Sequence, residues 1–179
     1  MSRFRVVSFD APVPYRAGLE WQRDVAERRI EGELEDDLLV LLEHEPVLTL
    51  GRNADDGHVT ADPDRLERLG VERVEVERGG DVTYHGPGQL VGYPIFDLRN
   101  HRKDLHWFLR RLEAALIGTL DALGLDGFRV EGHTGVWVGE ADGDVAEEDA
   151  PPLVADGRVR KVASIGIHVS RWVSWHGVA

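Results

Sequence analysis

The run Arg78-Gly79-Gly80-Asp81-Val82-Thr83-Tyr84-His85-Gly86-Pro87-Gly88-Gln89-Leu90 constrains this chain more than any other feature. It sets four glycines and a proline between two segments that read as strands. On one side Val74 and Val76 alternate with Glu75 and Glu77; on the other lies Leu90 to Leu98. Glycine admits backbone with positive φ and lets a neighbouring chain or ligand approach closely. An exposed loop has no need of Tyr84 and His85 beside those glycines, so the run reads as the lining of a narrow channel. It is not a Walker loop, since no Gly-Lys-Ser/Thr ends it. Nor does it open a helix as a dinucleotide fingerprint does, because Val82-Thr83-Tyr84 favours strand.

At 179 residues, 42% of them hydrophobic, the chain reads as a single domain over 1–179. No apolar run is long enough to cross a membrane. Met1 to Asp10 is too short and polar for a signal peptide, so a cytoplasmic address is expected and no membrane partner. A net charge of −12 argues against nucleic acid, whose affinity rests on phosphate neutralisation. Lys103 and Lys161 are the only lysines. An acidic, lysine-poor surface fits a high-salt, halophile-like cytoplasm, where screening shrinks self-repulsion; an arginine-rich codon bias fits equally. There is no cysteine, which excludes disulfides, thiolate metal sites and thiol nucleophiles within these residues.

Phe4 to Ser8 reads as a strand. Ala17, Trp21, Val25, Ala26 and Ile30 predict an amphipathic helix over Tyr15 to Glu31. Leu38 to Leu42 reads as a buried strand, Glu43-His44-Glu45-Pro46 breaks it, and Val47 to Leu50 resumes. Gly51 to Gly70 is polar loop with one helical turn around Pro63 to Leu69. Pro94 places Leu90 to Leu98 at a sheet edge or bulge. Leu105, Phe108, Leu109, Leu112, Leu116, Leu120 and Leu123 predict the clearest helix, with Asp104 as N-cap and Gly124 as its stop. Strands follow at Phe128 to Val130, Gly135 to Val138 and Val162 to Val169. Residues 140–157 carry little apolar patterning and read as an acidic loop insertion. The tail Ser170 to Ala179 alternates like a strand and would leave an apolar patch or an unpaired edge unless something covers it. The pattern is α+β, a mixed or antiparallel sheet flanked by helices.

Lys161 enters an apolar strand and is either a snorkelling edge residue or a desolvated functional amine. Arg78 alone reads as a surface ion-pair partner of Glu77 or Asp81, and His85 alone as a hydrogen-bonded structural histidine. Their placement among Gly79, Gly80, Gly86 and Gly88 makes a site an equal reading. The histidines form no metal signature, so no metal is expected. Ser164 and Ser174 lack a nucleophile elbow.

Several blocks, in order, resemble the lipoyl(octanoyl) transferases of the biotin/lipoate protein ligase fold. They are Glu43 to Gly51, Arg78 to Leu90, Gly135 to Val138, Lys161 to Gly166, and Ser174-Trp175-His176-Gly177-Val178-Ala179. The resemblance implies an α+β catalytic domain of the biotin/lipoate ligase type, cytoplasmic and without a cofactor. It implies an acyltransferase moving an octanoyl or lipoyl group from acyl carrier protein to a lysine of lipoyl domains. The implied partners are octanoyl-acyl carrier protein, the lipoyl domains of 2-oxoacid dehydrogenases and the glycine cleavage H protein. Carried over by position, Arg78, Gly79, Gly80, Asp81, Val82, Thr83, Tyr84 and His85 would contact the acyl substrate. Ser164, Ile165, Gly166, Gly177, Val178 and Ala179 would line the same pocket. Lys161 would match the lysine that lowers the pKa of the nucleophile.

A narrow apolar slot suits an eight-carbon chain, since each buried methylene is worth roughly 0.8 kcal/mol. A thioester exchanges readily with a thiolate, and a nearby ammonium raises the thiolate fraction. The family's cysteine sits in a proline-cysteine-glycine turn downstream of Ala179, so the chain reads as C-terminally incomplete. It is a fragment, one half of a split enzyme whose second chain supplies the cysteine, or a non-catalytic acyl-binding subunit. In each case these 179 residues alone are expected not to turn over. The rival activity is an ATP-dependent lipoate or biotin protein ligase, against which the His85-Gly86-Pro87-Gly88-Gln89 continuation weighs.

Overall fold

A computed structural model describes residues 4–139 and 159–179. The acidic insertion expected at 140–157 therefore lies outside the described residues. In chain order the elements are β1 (Phe4–Ser8), α1 (Tyr15–Glu31), β2 (Asp37–Leu42), β3 (Val47–Leu50), α2 (Pro63–Arg68), β4 (Glu72–Glu75), β5 (Val82–His85) and β6 (Val91–Ile95). They continue with α3 (Leu105–Ala122), β7 (Gly127–Phe128), β8 (Val136–Gly139), β9 (Val159–Ala163), β10 (Ile165–Ser170) and β11 (Val173–Val178). The chain forms two compact units, residues 1–103 with 166–179, and residues 104–165.

The first unit holds a five-stranded sheet in the order β1-β2-β6-β11-β10 and a three-stranded sheet in the order β4-β3-β5. Pairing is mixed: β1 runs parallel to β2 and β4 to β3, whereas β6 runs antiparallel to β2 and β5 to β3. One helix serves both sheets. Val25 and Ala26 of α1 pack on Val40, Val91, Ile95 and Val173, while Tyr15 and Leu19 pack on Val47, Val74 and Val76. Ile95, Val40 and Val173 are fully buried, each worth roughly 1.5–3 kcal/mol of apolar transfer. In the second unit, Asp104 caps α3 by accepting from the Trp107 N–H at 2.9 Å, and Gly124 ends it at φ 78°. Antiparallel β7-β8-β9 then packs Val130, Trp137, Val159 and Phe128 together. The expected α+β class with a mixed sheet is the class observed.

Several local expectations change. The buried stripe of α1 is Tyr15, Gly18, Leu19, Gln22, Val25, Ala26 and Arg29, and Ala17 faces solvent. Gln22 and Arg29 disguised this face because both are polar, yet each has partners inside. The Gln22 amide oxygen accepts from the His176 N–H at 3.0 Å, and Arg29 donates to Asp37 at 3.1 Å. The single strand expected from Val162 to Val169 is two strands, β9 and β10, with Ser164 between them in no strand. The strand expected at Phe128 to Val130 is only Gly127–Phe128, though Val130 is buried.

Pro94 is not at an edge. β6 lies between β2 and β11, and the proline ring fits because Gly177 faces it: a Cβ on Gly177 would fall 2.6 Å from Pro94 Cδ. Pro94 has no N–H to give, and the backbone of β11 departs there, with His176 at φ 56°. Nor is the final segment an uncovered edge. β11 lies between β6 and β10, with Trp175 and His176 buried.

Candidate active site

The six residues between β4 and β5, Val76 to Asp81, turn sharply and are pinned on both sides. Arg52 N–H donates to Arg78 O at 3.0 Å, Asn53 N–H to Gly80 O at 3.2 Å, and Gly51 N–H to Asp81 O at 3.2 Å. From the other side Gly79 N–H donates to Ile167 O at 3.0 Å. Gly80 sits at φ 90°, a conformation side chains disfavour. The neighbouring glycines make room for this turn. A Cβ on Gly51 would fall 2.4 Å from Gly80 O, and one on Gly166 would fall 2.7 Å from Gly79 O. The close approach read from the sequence is therefore, first of all, backbone against backbone.

Arg78 is not a surface ion-pair residue. It is 6% exposed, and its guanidinium donates to Thr49 O at 3.0 Å, Thr49 Oγ1 at 2.7 Å and Gly79 O at 3.0 Å. Burial lowers its pKa, though a guanidinium stays charged. The result is a buried cation hydrogen-bonded to neutral oxygens. Such a group favours developing negative charge on a carbonyl beside it.

Glu77 points the opposite way and anchors the same turn. It accepts from Arg23 Nε at 2.9 Å, Arg23 NH2 at 2.6 Å and Trp175 Nε1 at 3.0 Å, with His176 Nε2 at 3.7 Å. Burial alone would push its carboxyl up. Hydrogen bonds from Arg23 and Trp175, with the His176 ring close by, outweigh that and hold it well below the usual range. Glu77 thus ties the glycine turn to α1 and β11. Sequence reasoning missed it, because a glutamate alternating with valines looks like a solvated strand position.

Val82 to His85 is strand β5, so its side chains alternate between two faces. Tyr84 is 49% exposed while His85 is buried; the eight residues Arg78 to His85 do not all face one cavity. His85 Nδ1–H donates to the Gln89 amide oxygen at 2.7 Å, and its ring stacks on Tyr15 with centroids 6.0 Å apart. Burial lowers its pKa to about 4, partly opposed by Gln89. His44 sits beside it at 5.8 Å. Its Nδ1 faces Val13 O at 2.7 Å, and a carbonyl can only accept. The proton is thus on Nδ1, and the bare Nε2 accepts from Tyr93 Oη at 2.6 Å. The sequence marked His44 as part of a strand break and of the Glu43 to Gly51 block, without a role of its own.

Gly177 and Val178 lie on β11, against Gly92 of β6, and Ala179 packs at the border of the main core. In the second unit, Ile165 is buried and Ser164 half-buried. Lys161 is an exposed residue of β9 whose ammonium lies 5.1 Å from the Trp137 ring centroid, and partial desolvation there lowers its pKa.

With this geometry in hand, comparison with known proteins is informative. A family model described as the lipoyl protein ligase A/B catalytic domain matches residues 14–179. The chain is 48% identical to an octanoyltransferase of Gloeobacter violaceus, over 93% of the chain and 64% of that relative. It is 46% identical to an octanoyltransferase of Nostoc punctiforme, over 93% of the chain and 63% of that relative. It spans less than two thirds of either relative. Among solved structures it is similar to the bi-partite lipoate protein ligase of Thermoplasma acidophilum, described with its E2 lipoyl domain. The TM-score is 0.64 at 16% identity, covering 99% of the chain and 61% of that structure.

Proposed function

The chain belongs to the lipoyl protein ligase A/B catalytic-domain family, and on that footing we propose that it serves octanoyl transfer in protein lipoylation. The donor is octanoyl-acyl carrier protein, and the acceptor a lysine of a lipoyl domain, including those of 2-oxoacid dehydrogenases and the glycine cleavage H protein. The supporting observation is the likeness to octanoyltransferases along nearly the whole chain. Arg78, Gly79, Gly80 and Gly166, with Gly177 to Ala179, hold the acyl group. The buried Arg78 guanidinium favours the charge that develops on the thioester oxygen. Lys161 supports a thiolate by its charge.

The thiol comes from outside these residues, which contain no cysteine. Its source is a further segment of the same protein or a second chain. Attack of the thiolate on the octanoyl thioester forms a new enzyme thioester and expels the carrier thiolate, which takes up the proton the enzyme thiol gave up. The acceptor lysine amine then displaces the enzyme thiol to form the amide, and the freed thiolate recovers a proton.

The test incubates these 179 residues with octanoyl-acyl carrier protein and an unmodified lipoyl domain, then weighs the lipoyl domain. The expected result is no octanoyl gain without a cysteine-bearing segment, and gain when one is supplied. Acylation by the cysteine-free chain would overturn the covalent route. Acylation requiring ATP and free octanoate would assign the chain to ligases instead.

A further inference from the structure

The backbone around Lys161 is built to aim that side chain. β9 does not pair evenly with β8: Val136 lies opposite Ala163 and Trp137 opposite Lys161, so Val162 is the extra residue of a bulge. Bulges bend a strand and redirect the flanking side chains. Val162 and Lys161 are both exposed, but the lysine ammonium is folded back over the Trp137 ring. Gly135 closes the other side at φ 136°. A Cβ there would fall 2.6 Å from Lys161 Cε and 2.6 Å from Ala163 O, so the lysine stem rests against bare peptide.

That peptide is itself held. Gly135 N–H donates to Glu113 Oε1 at 3.3 Å. Glu113 is 1% exposed, in the middle of α3. Its other oxygen accepts from Arg110 NH1 at 2.7 Å and Arg129 Nε at 2.9 Å. A carboxylate this buried is costly unless fully paired. Here the two guanidinium groups take one oxygen, leaving the other for the peptide beside the lysine.

We propose that Glu113 is the positioning residue of Lys161: through the Gly135 N–H it fixes the peptide against which the lysine stem lies, and so fixes the place of the amine. The proposal rests on the reading that this amine takes part in acyl transfer, but it concerns placement alone.

Because Lys103 and Lys161 are the only lysines, reductive 13C-methylation, which keeps the charge, gives two lysine methyl signals assignable with Lys103→Arg. In the unsubstituted chain the Lys161 signal carries a ring-current shift from Trp137 and titrates below the ordinary lysine range. Glu113→Leu keeps the volume and removes the acceptor; the ring-current shift is lost and the titration moves up. Glu113→Gln still offers an oxygen to Gly135 and keeps both signatures. Gly135→Ala displaces the lysine with Glu113 intact, and decides the matter if Glu113→Leu fails to fold. A Lys161 signal unmoved in a folded Glu113→Leu or Gly135→Ala chain overturns the proposal, as does Glu113→Gln behaving like Glu113→Leu. The catalytic reading is judged separately, by octanoyl transfer of Lys161→Met supplied with a cysteine-bearing segment. Undiminished transfer would sink that reading and leave the placement standing.

Discussion

Consecutive residues Glu77 and Arg78 carry opposite charges, yet they do not pair with each other. Glu77 reaches Arg23 and Trp175, and Arg78 reaches Thr49. Each charge holds the same turn from a different side. His85, just beyond, is buried and uncharged at neutral pH. Its pKa falls from 6.5 to about 4 on folding. Between those values the unfolded chain binds a proton that the folded chain does not, so stability is full above the window and lost as pH falls through it. The loss is roughly 3 kcal/mol. Burial lowers His44 and His176 as well, with the same sign. Urea titrations at about pH 7 and about pH 4.5 are expected to differ less for His85→Gln than for the unsubstituted chain. An equal difference would mean His85 accepts its proton without opposing the fold. Arg78 and His85 were legible as candidates because glycines surround them. Their burial was not, because the partners that enclose them, Thr49 for Arg78 and Tyr15 for His85, lie 29 or more residues away in sequence.

At the scale of elements, periodicity predicted where α1 and α3 form; α1 buries a long face, whereas in α3 only Phe108 and Glu113 are buried and the leucine stripe stays half-buried or exposed. Periodicity failed where one irregularity decides the path. Nothing in Lys161 to Ile167 announces that the strand breaks at Ser164, because both halves are equally apolar. Pro94 left a sheet edge or a bulge open, because what accommodates it is a glycine more than eighty residues later. That pairing has a measurable consequence. A Cβ on Gly177 would fall 2.1 Å from Gly92 O and 2.6 Å from Pro94 Cδ. Gly177→Ala must push β6 and β11 apart and is expected to cost about 1–3 kcal/mol, as overpacking of a tight core does. A thermal melt without any acyl ligand measures it. An unchanged melt, together with weakened acyl binding, would reserve Gly177 for substrate alone.

For the molecule as a whole, charge is the dominant global property. With 33 acidic and 21 basic side chains, the net charge is −12. Raising KCl from about 0.1 to about 1 M shortens the screening length from roughly 10 to roughly 3 Å. Self-repulsion then falls, so the melting temperature is expected to rise across that range; a steady decline would show that local ion pairs outweigh the net charge. The fold class was legible at this scale because strands and helices interleave in recognisable order. The division into two compact units was not, since no composition change marks residues 104 or 166. The central claim is that the glycine turn of the first unit holds a medium-length acyl thioester. Titrating the 15N-labelled chain with octanoyl-pantetheine tests it most directly. The account predicts saturable shifts centred on the Gly79, Gly80 and Gly166 amides and the Arg78 side chain. Saturable shifts elsewhere, or none at all, would contradict it.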